Sequence, residues 1–139
     1  MGNKIVIDDG YKTYDIENQD GKLLGQFSFN PSDTNIVHRH AEVVEALGKI
    51  EFPENVDEKL EETLEKVEKT IYEKINYLLD ADVAGNFFSI MGPLSPLANG
   101  QFFIESVLDA IGQAIQKETG ERVNKIKGKI KKHTSKYHG

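Results

Sequence analysis

The segment from Gly21 to His40, Gly-Lys-Leu-Leu-Gly-Gln-Phe-Ser-Phe-Asn-Pro-Ser-Asp-Thr-Asn-Ile-Val-His-Arg-His, changes its hydrophobic period from two to about 3.6. A strand must therefore hand over to a helix inside it. Leu23, Gly25, Phe27 and Phe29 share one side of a strand, and Gly25 marks either a bulge or a place where a helix comes close to the sheet. Pro31 cannot donate a ladder hydrogen bond, while Ser32 or Asp33 can accept one from the first free amides of a helix. The strand ends there and the helix is capped.

Upstream, Lys4 to Asp8 is a short β-branched run, and Tyr11 to Glu17 places Tyr14 and Ile16 opposite Thr13 and Asp15. Asp20-Gly21 between two alternating segments predicts a hairpin with a type I′ turn, which has positive φ at both central residues. Residues 1–30 thus read as a β-hairpin or small antiparallel sheet, with its strands within about residues 4–29.

The remainder reads as helices over 33–50, 56–79, 82–91, 101–119 and 121–137. Ile36, Val37, Val43, Val44, Leu47 and Ile50, with His40 and Ala41 in the same sector, form the stripe of the first. Asn55 caps the second, whose positions Val56, Leu60, Leu64, Val67, Ile71, Ile75 and Leu78 follow alternating steps of three and four. So narrow a stripe on so acidic a helix suits a coiled-coil-like seam, and Leu60, Leu64, Val67 and Ile71 are its candidate contacts, in this chain or with another copy. Gly120 is either the C-cap of the fourth helix or a hinge into a basic fifth one, which carries Val123, Ile126, Ile130 and Tyr137 on one side. The expectation is an α+β fold of one domain, residues 1–139, with a hairpin on four to five helices.

Composition excludes more chemistry than it suggests. With no cysteine there is neither a disulfide framework nor a thiolate metal site. The start of the chain reaches an acidic pair after only three apolar residues, unlike a signal peptide, and no run approaches the ~20 apolar residues of a membrane span. Neither a membrane partner nor a secreted location is expected. The net charge of -6 hides seven Lys or Arg and no acid from Arg122 onward. An acidic body repels phosphate over a Debye length of about 8 Å, and the tail lacks aromatics except Tyr137, which argues against nucleic acid as a partner.

Catalytic and metal constellations are also missing. His38 and His40 lie about 200° apart around a helix, which forbids shared ligation. Asp80 and Asp82 lack the further oxygen ligands of a calcium loop and suit helix capping. No Gly-x-Ser-x-Gly elbow and no phosphate-binding glycine fingerprint is present. The expectation is a non-enzyme with no cofactor, no metal and no catalytic residues. What exceeds structural need is an apolar centre of Phe87, Phe88, Ile90, Met91, Leu94, Leu97, Phe102 and Phe103, spread over a loop containing Pro93 and Pro96. It is either core or a surface that receives an apolar helix of another protein, for which Met91 is of the adaptable type.

The hairpin Tyr14-Asp-Ile-Glu-Asn-Gln-Asp-Gly21, the run Phe27-Ser-Phe-Asn-Pro-Ser-Asp-Thr-Asn-Ile-Val37, the segment Phe87-Phe-Ser-Ile-Met-Gly-Pro93 and the helix Glu105-Ser-Val-Leu-Asp-Ala-Ile111 resemble small proteins of phages and prophages in Gram-positive bacteria. Size, acidity, helical content and the phenylalanine-rich middle are similar to tail assembly chaperones of long-tailed phages. The resemblance implies a homo-oligomeric assembly factor in the cytoplasm of the bacterial host, whose partner is another phage protein, a tape measure or tail tube protein. Alternatives are a virion-associated tail or baseplate component, or a small inhibitor of a host defence protein acting through its acidic face.

Overall fold

The computed structural model describes residues 2–50 and 58–138, the last part, 128–138, by its backbone only. The fold is α+β, with the order β1 (Lys12–Glu17), β2 (Leu23–Phe29), α1 (Thr34–Gly48), α2 (Leu60–Leu79), α3 (Ala84–Phe88) and α4 (Phe103–His138).

β1 and β2 pair antiparallel with Tyr14 opposite Phe27 and Ile16 opposite Gly25. Tyr14, Phe27 and Phe29 stack on the inner face with ring centroids 5.2–5.6 Å apart. On the outer face Thr13 meets Ser28 at 2.7 Å, and Gln26 donates to Asp15 at 2.7 Å, so polar cross-strand pairs keep that side wetted. The register slips after Ile16, where Glu17 pairs with Leu23. Gly25 beside this bulge has only 3.2 Å between an added Cβ and the Asn86 carbonyl of α3, so both readings of this glycine hold.

Two expectations for the sheet are corrected. The turn is not type I′, because only Gly21 has positive φ, at 80°. Gly21 donates to the Asn18 carbonyl, the Asn18 amide to Lys22, and the Asn18 side chain accepts from Asp20 and Lys22. An asparagine that satisfies the loop itself makes a three-residue connection preferable to a two-residue one. Lys4 to Asp8 is not a strand either. Ile5, Val6 and Ile7 are 88%, 92% and 76% exposed, since β-propensity makes a strand only where a ladder partner exists.

Asp33 caps α1, its carboxylate accepting from the Asn35 amide at 2.9 Å. The expected start of the second helix, with Asn55 and Val56, lies outside the described residues. That helix ends on Asp80, at φ 52°, and Arg39 of α1 donates to the terminal Leu78 carbonyl. α3 is shorter than the expected 82–91. The Asn76 side chain accepts from the Val83 and Ala84 amides at 2.9 and 2.8 Å and fixes its start, while Gly92-Pro93 prevents extension. Asp82 meets Asn76 at 3.4 Å, so of the two aspartates only Asp80 occupies a cap.

Gly120 neither caps nor breaks α4, which runs through it. A helical glycine costs about 1 kcal/mol relative to Ala, too little to stop a helix whose flanking residues, Glu118, Thr119 and Arg122, are tied down by side-chain bonds. The core gathers Phe29, Ile36, Ile71, Ile75, Leu78, Leu79 and Ile111, each at most 2% exposed, from β2 and three helices. α1 crosses α4 where the His40 ring lies 3.0 Å from a Cβ built on Gly112. His40 Nε2 also meets the Leu108 carbonyl at 3.1 Å, and that pairing positions the groove described next.

Candidate protein-interaction surface

Phe87 and Phe88 are core residues, 4% and 6% exposed, and neither lines the groove described below. Phe88 packs on Tyr72, Phe87 and Phe103 with centroids 4.9, 6.3 and 6.2 Å away, and Phe87 on Phe27 at 4.7 Å. The short helix α3 turns both rings inward beneath the hairpin, because Gly25 lets its backbone come close. Ile90 and Leu97 are half-buried and Met91 is 38% exposed. Phe102, Phe103 and Leu94 are half-buried against the core.

The loop between α3 and α4 is built rather than loose. Pro96 bridges Phe102, the Leu97 amide donates to the Gln101 carbonyl at 2.8 Å, and Gly100 takes φ 84° to close the turn, its amide donating back to Leu97. Phe103 and Ile104 donate to the Ser95 and Pro93 carbonyls, and the Glu105 carboxylate accepts from the Phe102 amide at 2.7 Å. These bonds hold Leu94 and Phe102 beside the end of α1. Between them opens an apolar groove of about 440 Å³ whose walls are Val44, Leu47, Leu94 and Phe102 and whose floor includes Ile71, Ile104 and Leu108. Glu105 and Asp109 stand at its rim, Asp109 accepting from Gln101 at 3.0 Å. Val44 is 45% exposed, and Val37, two turns earlier on α1, is 48% exposed.

The phenylalanine-rich centre is therefore divided. Leu94 and Phe102 line this groove, and Phe103 with Phe87 lines a second cleft of about 340 Å³ between β1 and α4. Ile90, Met91 and Leu97 line neither. Sequence reasoning missed the α1 wall and the α4 floor, since Val44, Leu47 and Leu108 read as ordinary stripe positions. The signal was present in α1, whose apolar sector is wider than one contact needs.

Of the α2 seam, Ile71 is 1% exposed and belongs to this chain's own core. Leu60, Leu64 and Val67 are half-buried. The C-terminal half of the stripe is used internally against α1 and α3, so a shared seam has only its N-terminal half.

A part-buried polar cluster ties the middle of α4 to the start of the hairpin. Glu118, 8% exposed, bonds the Lys12 ammonium, and Arg122 donates to Ser32 and to the Gly10 carbonyl. The Lys12 bond holds the Glu118 carboxyl below the usual range, and Glu118 pushes Lys12 up. Burial raises Tyr14, whose hydroxyl has no hydrogen-bond partner among the described residues. The cluster is structural, with the Glu118 carboxylate shared between Lys12 and Arg122. His38 is exposed and His40 faces α4, so the two do not converge, and no group of metal-ligating side chains forms among the described residues. No described helix is long and apolar enough to cross a membrane.

Beyond Arg122 the described side chains of α4, Val123 to Lys127, are all exposed. Comparison with protein-family models, with curated proteins and with solved structures returned no significant match.

Proposed function

We propose that this chain is a non-enzymatic assembly factor, of the kind phage tail assembly chaperones represent, and that it holds an apolar helical segment of a partner in the groove between α1 and α4. The groove itself carries this reading: an apolar trough with α1 along one wall and α4 beneath it accepts the i, i+3/i+4 stripe of a further helix. Val37 and Val44 extend the apolar surface along α1. Glu105 and Asp109 at the rim favour a partner segment with flanking Lys or Arg. The resemblance noted above supplies the partner class, a long helical phage protein such as a tape measure or tail tube protein, met in the cytoplasm of the bacterial host. Self-association is part of the reading, with the half-buried Leu60 and Leu64 of α2 as its contacts and Val67, which also packs on this chain's core, at their edge.

The test is titration calorimetry of this chain against a tape measure protein of a long-tailed phage. Val44→Asp places a charge on an already exposed groove wall and is expected to weaken binding at least tenfold with unchanged far-UV circular dichroism. Wild-type affinity in Val44→Asp overturns the groove assignment.

A further inference from the structure

An exposed apolar segment and the outer edge of β1 both lack a strand partner among the described residues, and they fit each other. Ile5, Val6 and Ile7 lie in solvent, three consecutive β-branched residues at 88%, 92% and 76% exposure. The sheet has two strands, so β1 keeps an open outer edge. Along it runs the second cleft, lined on one side by the consecutive residues Tyr14 to Glu17 and on the other by Ser106, Ala110 and Ala114 of α4. Consecutive lining residues mean that the strand edge itself, and not only one face, borders the cleft. Small side chains at four-residue spacing leave the helix surface low beneath it.

Register gives the match its specificity. With Ile5 opposite Ile16 in an antiparallel pair, Ile7 meets Tyr14 on the cleft face and Val6 turns outward beside Asp15. Lys4 then faces Glu17 and Asp9 faces Lys12, so opposite charges close both ends. A one-residue slip turns Val6 inward alone and sends both isoleucines to solvent. A parallel pairing that buries both isoleucines sets Asp8 against Glu17. Residues 4–9 and Lys12–Glu17 are also equal in length.

The same register could be closed within one chain by a turn at Gly10-Tyr11. The structure holds that turn in another course. The Gly10 and Tyr11 amides donate to the Asp8 and Asp9 carboxylates at 3.0 and 3.1 Å, Asn30 donates to the Asp9 carbonyl, and both Arg122 Nη atoms donate to the Gly10 carbonyl at 3.2 Å. With these bonds made, residues 2–9 lie in solvent. A segment arriving from another molecule needs none of them broken. We propose that residues 4–9 of a second copy add to the β1 edge as a third, antiparallel strand, reciprocally, in a two-fold dimer. This interface is separate from the α1–α4 groove and stands or falls without it.

The chain has no cysteine, which makes a crosslinking test unambiguous. Full-length Ile5→Cys and Ile16→Cys variants are mixed, oxidised and run on non-reducing gels, with Val6→Cys plus Ile16→Cys as the wrong-face control. The expected product is a dimer whose digest contains a disulfide-linked peptide pair joining the two substituted positions, at least tenfold more abundant than in the control. In the Ile5→Cys/Ile16→Cys double variant, an intrachain disulfide in a monomer overturns the second-copy assignment, and free thiols overturn occupancy of the cleft. By light scattering the parent protein is expected to be a dimer, and Ile5→Lys/Ile7→Lys, which alters only exposed side chains, a monomer of unchanged helicity. A monomeric parent, or a dimer that survives this change, overturns the proposal.

Discussion

Truncation of Phe88 to alanine separates a core role from a surface role for the phenylalanine-rich centre. The ring is 6% exposed and lies between Tyr72, Phe87 and Phe103, with centroids 4.9–6.3 Å away. Removing a buried phenyl group costs the transfer free energy of its carbons and leaves a cavity that the surroundings only partly fill, together roughly 3–5 kcal/mol. Unfolding entropy near 2.1 cal/mol/K per residue amounts to ~0.3 kcal/mol/K for a chain of this size. The expected drop in Tm is therefore roughly 10–17 °C. Thermal melts followed by circular dichroism at 222 nm measure it, with Met91→Ala, at a position 38% exposed, as the control expected to change stability by less than ~0.5 kcal/mol. A Phe88→Ala shift below about 3 °C, equivalent to ~1 kcal/mol, refutes the core assignment. The consequence for function is direct: a charge at Phe88 abolishes binding by unfolding the chain, whereas a charge at Val44 tests the groove.

Stability should fall at both ends of the pH scale through the Lys12–Glu118 pair. Glu118 is depressed by Lys12, so its contribution is present above the unfolded carboxyl value of about 4.3 and is lost as pH falls through the lower folded value. Lys12 is raised by Glu118, so its contribution is present below about 10.4 and is lost as pH rises through the higher folded value. The Tm difference between wild type and Glu118→Gln should shrink at both extremes; a difference constant with pH counts against the pair. Gly120→Ala should stabilise by up to about 1 kcal/mol, because α4 is continuous there and nothing lies within 4 Å of the added Cβ. A loss in denaturant melts would instead mean a left-handed cap at this position.

Much of the fold was legible locally. The strand-to-helix switch between Phe29 and Thr34 needed only a proline, an aspartate and a change of period, and Asp33 caps as those residues imply. Gly25 announced a bulge and a close approach, and both occur. The turn was legible in place but not in type, because the Asn18 side chain takes amides that a two-residue turn would leave to the strands. For the site, the apolar centre was visible as composition, but its division among the core, the groove and the second cleft was not.

Sequence alone determined the pairing of two strands between Lys12 and Phe29, the cap at Asp33, the helical character of α1, α2 and α4, and that no thiolate chemistry is available. Those are properties of neighbours along the chain, set by periodicity, φ restriction and competition for nearby amides. Only tertiary structure decided that Phe87 and Phe88 face inward, that Ile71 is spent inside the chain, that α4 passes through Gly120, and that Ile5 to Ile7 are left without a strand partner. Each of these depends on what arrives from a distant part of the chain: α3 beneath Gly25, α1 against α2, the hairpin against Glu118 and Arg122. A β-branched run or an aromatic pair has the same local preference whether or not that partner comes, and burial follows from the partner.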